Sequence, residues 1–285
     1  MTYPRVEKMK LKDISPLLIA LACPGASIGF AANVAFDSAI DPVYNDGWQD
    51  GDNGGFGLLP WNLVTLGTSS GHFVAASTGN GDGADDGNIR GAANDSDIDT
   101  SGRSWGTFAS VDVNGDGVGA IRELTGGPLS IGQSLLIDMD NGFIDSGGLN
   151  SVGIQFLAAD GNEVYFRFEG GDTNYEVFVN GLATPTTTAL AFADEGLSLE
   201  LARTGFDTID VIATLRNGDT QTLPLTMTGT DGSAIVGLLM NNDSAGSGPA
   251  HDAYINSIRV TAIPEPTSGL LALWGLVFFA SRRLH

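Results

Sequence analysis

The sequence predicts an all-β body, one sandwich of two packed sheets over residues 32–262, with an apolar segment on either side. Short runs rich in Val, Ile, Leu, Phe and Thr recur along this body, each bounded by Gly, Asn or Asp. Several of them alternate apolar and polar residues with a period of two, the signature of a strand with one buried face. No stretch of the body shows an apolar helix period. The 40 glycines and 42% apolar content of the 285-residue chain suit tight turns around a core rather than a disordered acidic tract. A body of this size, built from short strands and polar turns, fits one core better than two. The expected architecture is a jelly-roll or concanavalin-like β-sandwich.

Taken in order, the segments 45–57 and 80–88 are Asp/Asn/Gly-rich loops. Strands are expected at 62–66, 73–77, 134–138, 152–157, 163–169, 175–179, 197–202, 208–215, 221–228 and 253–261, and 104–111 also looks like a strand. In 163–169, Val164, Phe166 and Phe168 share one face while Glu163, Tyr165, Arg167 and Glu169 share the other. Leu197, Leu199 and Leu201 alternate in the same way with Ser198, Glu200 and Ala202. Pro224 lies inside a strand-like run and predicts an edge strand or a bulge.

Charge narrows the partners. Residues 32–262 hold seven basic residues, all arginine, against 31 acidic ones. Such a surface repels nucleic-acid phosphates and attracts cations, so no nucleic-acid partner is expected.

One stretch carries a metal motif. Asp112, Asn114 and Asp116 stand at positions one, three and five of a twelve-residue calcium loop, Gly115 and Gly117 supply its turns, and Glu123 stands at position twelve. Ca2+ needs six to eight oxygens, and closely spaced Asp and Asn side chains, a carbonyl and a bidentate Glu can supply them. No amphipathic helices flank the motif and Gly119 takes position eight, so an acidic hairpin loop is the competing reading.

Catalytic patterns are sparse. The paired carboxylates that concanavalin-like glycosidases place on one strand are not evident, and Glu163 and Glu169 read as a solvated face. Asp138 and Asp140 flank Met139, but Asn141-Gly142 suggests a strand end entering a loop. There is no G-x-S-x-G elbow in the body, and His72 and His251 are too few for a zinc site. The expectation is a non-enzymatic protein, with a polysaccharide-degrading hydrolase or lyase as the rival. Sugar-binding sandwiches use exposed aromatic faces with Asp and Asn side chains. Trp61 and Trp105 read as core, whereas Trp48, in the polar loop Asp46-Gly47-Trp48-Gln49-Asp50, is the candidate carbohydrate platform.

The two ends read as addresses. Arg5, Lys8, Lys10 and Lys12 precede the mostly apolar run 14–28, and Gly29-Phe30-Ala31 offers small residues at a cleavage site, so 1–31 reads as a secretory signal peptide. Cleavage there removes Cys23, the single cysteine, and leaves no disulfide framework. At 263–285 a Pro264-Glu265-Pro266 turn precedes an uncharged apolar run and the basic pair Arg282-Arg283. That run would rise roughly 22 Å as a helix, short for a bilayer core about 30 Å thick, and the arginines would stay on the cytoplasmic side.

This order of parts resembles the PEP-CTERM sorting signal of Gram-negative bacteria. The resemblance implies an exosortase that processes the tail near Pro264-Glu265-Pro266 after the C-terminal hydrophobic sorting helix has engaged the membrane. It further implies export through the inner membrane and delivery to the cell surface or an exopolysaccharide matrix. Segments such as Pro60-Trp61, Ser104-Trp105-Gly106, Asp138-Met139-Asp140-Asn141-Gly142 and Tyr254-Ile255-Asn256 more loosely resemble β-sandwich ectodomains fused to such signals. The expected partners are thus exosortase, the membrane before processing, and extracellular polysaccharide, with Ca2+ as the expected cofactor.

Overall fold

The computed structural model describes residues 32–80, 98–99, 101–110, 115–147, 150–161, 163–179, 184–193, 195–227 and 234–262. The expected signal peptide, the tail with Pro264, Glu265, Pro266, Arg282 and Arg283, and the motif residues Asp112 and Asn114 lie outside these residues. Fifteen strands occur among the described residues: β1 (Ala32–Ser38), β2 (Asn62–Leu66), β3 (Ser70–Ala75), β4 (Ser104–Ala109), β5 (Gly117–Glu123), β6 (Gln133–Asn141), β7 (Ser151–Ala158), β8 (Glu163–Glu169), β9 (Asn174–Val179), β10 (Thr186–Ala191), β11 (Leu197–Arg203), β12 (Thr208–Leu215), β13 (Thr220–Thr226), β14 (Ile235–Asp243) and β15 (Ala253–Ala262). No described helix is long and apolar enough to cross a membrane.

The strands form two antiparallel sheets. One has seven strands in the order β10-β9-β8-β7-β14-β5-β2. The other has eight, in the order β13-β12-β11-β6-β15-β4-β3, with β1 also pairing β15. β15 can serve both β1 and β4 because its first three residues pair β4 and its later ones pair β1, with an irregularity between Ile255 and Ile258. The inward side chains of both sheets make one apolar core, including Ile154, Phe156, Phe166, Met240, Leu199 and Ile137. Each such side chain contributes about 1.5–3 kcal/mol on burial.

The alternating strands form as their pattern dictates: Val164, Phe166 and Phe168 are buried in the core, as are Leu197, Leu199 and Leu201. Pro224 lies on β13, which pairs only with β12, so its missing N–H faces no neighbour. Four strands, β1, β5, β10 and β14, were not expected. β14 is a central strand with Leu238 and Met240 in the core and the apolar Leu239 on its half-buried outer face, so its run Ile235 to Met240 shows no alternation. β6 runs through Asn141, beyond the expected strand end, and places Asp138 and Asp140 together on its outer face.

Candidate functional site

The residues singled out by the sequence meet different fates. Trp48 is not an exposed platform: it is 4% exposed and packs edge-on against Trp61 and His72, with ring centroids 4.9 and 5.1 Å away. Trp61 and Trp105, 5.2 Å apart, and Tyr44 complete this buried aromatic cluster. The correction has a physical cause. The polar residues around Trp48 turn back on their own backbone, with Asp52 accepting from Gln49 N at 2.8 Å and Asp50 from Leu63 N at 3.0 Å, which frees the indole to fold inward.

Under the same loop lies a buried ion pair. Asp37 of β1 meets Arg122 of β5 at 2.7 Å, both side chains fully buried, so the pair bridges the two sheets. Tyr44 donates to Asp37 at 2.5 Å, and Trp61 Nε1 and Gly54 N donate to the Tyr44 oxygen. Arg122 also donates to the Asp52 and Gly54 carbonyls. Burial pushes the Asp37 carboxyl above its ordinary range, against the pull of the Tyr44 hydrogen bond and the Arg122 charge. Burial also pushes the Tyr44 hydroxyl well up. Gly55, at φ +65°, allows the close approach, since a Cβ there would lie 1.8 Å from the Phe36 carbonyl oxygen. The network holds the 47–61 loop against the core and presents nothing to solvent.

The described part of the calcium-type motif does not bring Asp116 and Glu123 together. The Asp116 carboxylate is 2% exposed and accepts from Thr68 N at 3.1 Å and Ser69 N at 3.2 Å, while its carbonyl accepts from Ser244. Gly67, at φ +81°, makes room for that carboxylate. Glu123 lies seven residues further on, at the far, exposed end of an extended strand. At about 3.3 Å per residue this separates it from Asp116 by roughly 23 Å, too far to share an ion. Nor does the motif sit in a hairpin, because β4 and β5 belong to different sheets. Asp116 instead ties together two crossings between the sheets, β2 to β3 and β4 to β5.

A groove among the described residues lies on the outer face of the seven-stranded sheet. Register aligns Val64, Gly119, Asn241, Gly153, Arg167 and Glu176 in one row across β2, β5, β14, β7, β8 and β9. Glycines at 119 and 153 remove side chains from the middle of this row. Tyr165 lies across Gly153, where a Cβ would come 2.6 Å from its ring, and Leu239 lies beside Gly119. The result is a groove of about 240 Å³ lined by Val64, Leu66, Ile121, Gln155, Leu239, Asn241 and Asp243. A smaller depression of about 150 Å³ lies on the opposite face, among Leu136, Asp138, Ser198, Glu200 and Arg259.

The groove has an ordered polar wall. Asn241 Nδ2 donates to Asp243 at 2.8 Å and to the Tyr165 oxygen at 2.7 Å, and Ser151 lies 3.3 Å from that oxygen. Because an ionised carboxylate only accepts, Asp243 sets the orientation of the Asn241 amide. Burial holds the Tyr165 hydroxyl at about 12, against its hydrogen bonds to Ser151 and Asn241, so it stays protonated at neutral pH. Burial likewise raises the Asp243 carboxyl. Arg167 bonds to Glu169, reaches Glu176 at 3.4 Å and lies 4.3 Å over the Phe178 ring.

The remaining candidates have partners. Asp138 accepts from Ser198 at 2.6 Å and Asp140 from Asn80 at 2.6 Å. His72 bonds the Gly119 carbonyl and His251 the Phe143 carbonyl. Glu169, Asp172 and Glu176 bring carboxylate oxygens within 4.8 Å of one another, but Arg167 already neutralises two of them. The alternation of β8 placed Tyr165, Arg167 and Glu169 on one face in advance. Asn241 and Asp243 escaped because β14 was not recognised; the one signal was the polar triplet closing its apolar run.

No protein-family model matches the chain, and no curated protein matches it. Among solved structures, a carbohydrate esterase of the Shiga toxin-encoding bacteriophage phi24B is similar at TM-score 0.48 and 12% identity, over 82% of this chain and 99% of its own. The carbohydrate-binding module CBM66 of Bacillus subtilis is similar at 0.37 and 11%, over 57% and 89%. The GH43 protein BlXynB of Bacillus licheniformis is similar at 0.39 and 13%; the match covers 56% of this chain but only 33% of that protein's length. Likenesses this weak transfer no residue's role to this chain.

Proposed function

We propose that the protein is a secreted or surface-sorted, non-enzymatic component of an extracellular polysaccharide matrix, and that it binds carbohydrate in the groove on its seven-stranded sheet. The observation that carries this is the groove itself: aliphatic walls from Val64, Ile121 and Leu239 beside the hydrogen-bonded pair Asn241 and Asp243, with Gln155 also lining it. Apolar lining with a few oriented polar groups is the general form of a small-molecule site. A groove open across strands suits a polymer passing over it. The matrix location rests on the two ends as read in the sequence, which make the chain an exosortase substrate of a Gram-negative host.

Pull-down of the full-length chain on the host's exopolysaccharide, with and without chelator, tests this against Gly119→Phe. A Cβ at 119 would meet the flexible Leu239 terminus at 3.0 Å and the Met240 carbonyl oxygen at 4.0 Å, so the variant is expected to fill the groove with the fold retained, which its unfolding midpoint checks. Wild-type binding that Gly119→Phe abolishes, at an unchanged unfolding midpoint, is expected. Equal binding by both would place the site elsewhere, and reducing-end release from the same polymer would replace binding with hydrolysis.

A further inference from the structure

We propose that the groove prefers a saccharide bearing free ammonium groups, a polymer of de-acetylated amino sugars, and that Asp243 receives the ammonium. This rests on the carbohydrate-binding reading and specifies its ligand. The charges on this face are unevenly compensated. Arg167 is engaged by Glu169 and Glu176 and packed on Phe178, so it offers no free cation to a uronate or sulfate. Asp243, which lines the groove, forms no ion pair among the described residues. Its one hydrogen bond comes from the neutral Asn241 amide.

Geometry points the same way. Gly117 leaves the Asp243 carboxylate uncovered, with Oδ1 3.2 Å from where a Cβ would stand. Both amide hydrogens of Asn241 are used, one on Asp243 and one on Tyr165. The Tyr165 hydroxyl is then free to donate to Ser151. Both Asn241 donors are therefore spent within the network, and an ionised Asp243 presents only acceptors to the groove. An ammonium brings three donors and a full charge to such a wall. A calcium ion would need six to eight oxygens, and this groove supplies one carboxylate.

The acidic body attracts any cationic polymer diffusely, so the test separates local from general attraction. The full-length chain is titrated by calorimetry with hexamers of β-linked glucosamine, N-acetylglucosamine and glucose, in about 0.15 M salt, where charges more than about 8 Å apart are largely screened. The glucosamine hexamer is expected to bind about tenfold tighter than either neutral one, as for one partly desolvated ion pair. Asp243→Asn should bring the three within about twofold of each other, while Glu200→Gln, on the opposite sheet, should change nothing. Equal affinities for all three in the wild type, or equal losses in the two variants, would overturn the ammonium preference and leave the groove reading standing if Gly119→Phe still abolishes binding. No binding of any hexamer would overturn both.

Discussion

At the scale of single residues, acidic side chains here serve the backbone more than they serve ions. Asp41, Asp50, Asp52, Asp99 and Asp116 each accept hydrogen bonds from main-chain amides of turns and loops. Carboxylates accepting backbone N–H groups are strong hydrogen bonds and locally replace secondary structure. The Asp37–Arg122 pair is different in kind. For a buried pair desolvation offsets much of the Coulombic gain, while removing one partner alone leaves an uncompensated buried charge at about 3–5 kcal/mol. Asp252 carries a testable consequence. It is half-buried after the 249–251 turn, and desolvation raises its carboxyl from 3.8 to about 7, with nearby His251 pulling it down. The folded protein therefore binds a proton that the unfolded chain has released, so the stability from this group is full below its unfolded value and is lost as pH rises through about 7. Asp252→Asn should consequently raise the unfolding temperature at pH above 7 and do so less at acid pH, as thermal melts of both proteins across that range would show; a gain independent of pH would refute the assignment.

At the scale of elements, two of the residues expected to share an ion, Asp116 and Glu123, instead brace a crossing and end a strand. A strand was hidden in Gly117–Glu123 because Gly117 and Gly119 carry no side chain to alternate, yet Val118, Ala120 and Arg122 all point inward. Asp116 stands where the chain enters this strand and holds the neighbouring crossing by two amides. Removing the carboxylate leaves those donors unpaired, at about 1–3 kcal/mol. Asp116→Ala should thus lower the urea midpoint by the same amount in calcium and in chelator. A loss seen only in calcium would restore an ion at this position. The β12–β13 pair shows the opposite case, in which one residue, Pro224, pointed to an edge or a bulge and the structure places it on an edge.

At the scale of the whole molecule, the ends and the body answer separate questions. If the Pro264-Glu265-Pro266 tail is the sorting signal proposed, mass spectrometry of surface-released protein should find a C-terminus at or near that motif. Recovery of chains intact through His285 would make the tail a short anchor instead. The body bears on what is done there. Its strands were legible wherever one face is buried and the other wet, as in β8 and β11, because burial on one side forces period two. β14 and β5 were not, since a central strand with apolar residues on both faces and a glycine-bearing strand lose that alternation.

By itself the sequence determined the all-β class, the inward face of the alternating strands, an edge or a bulge at Pro224 and the acidic, lysine-free surface of the body, because each depends on local pattern or on composition. Only the tertiary structure decided that Trp48 is core, that Asp116 braces a crossing, and that Tyr165, Asn241 and Asp243 meet on one face. Those outcomes depend on pairing between strands far apart in the chain. β8 and β14 touch the same groove through β7, and which side chains share a row is set by register, a long-range quantity that no window of sequence contains.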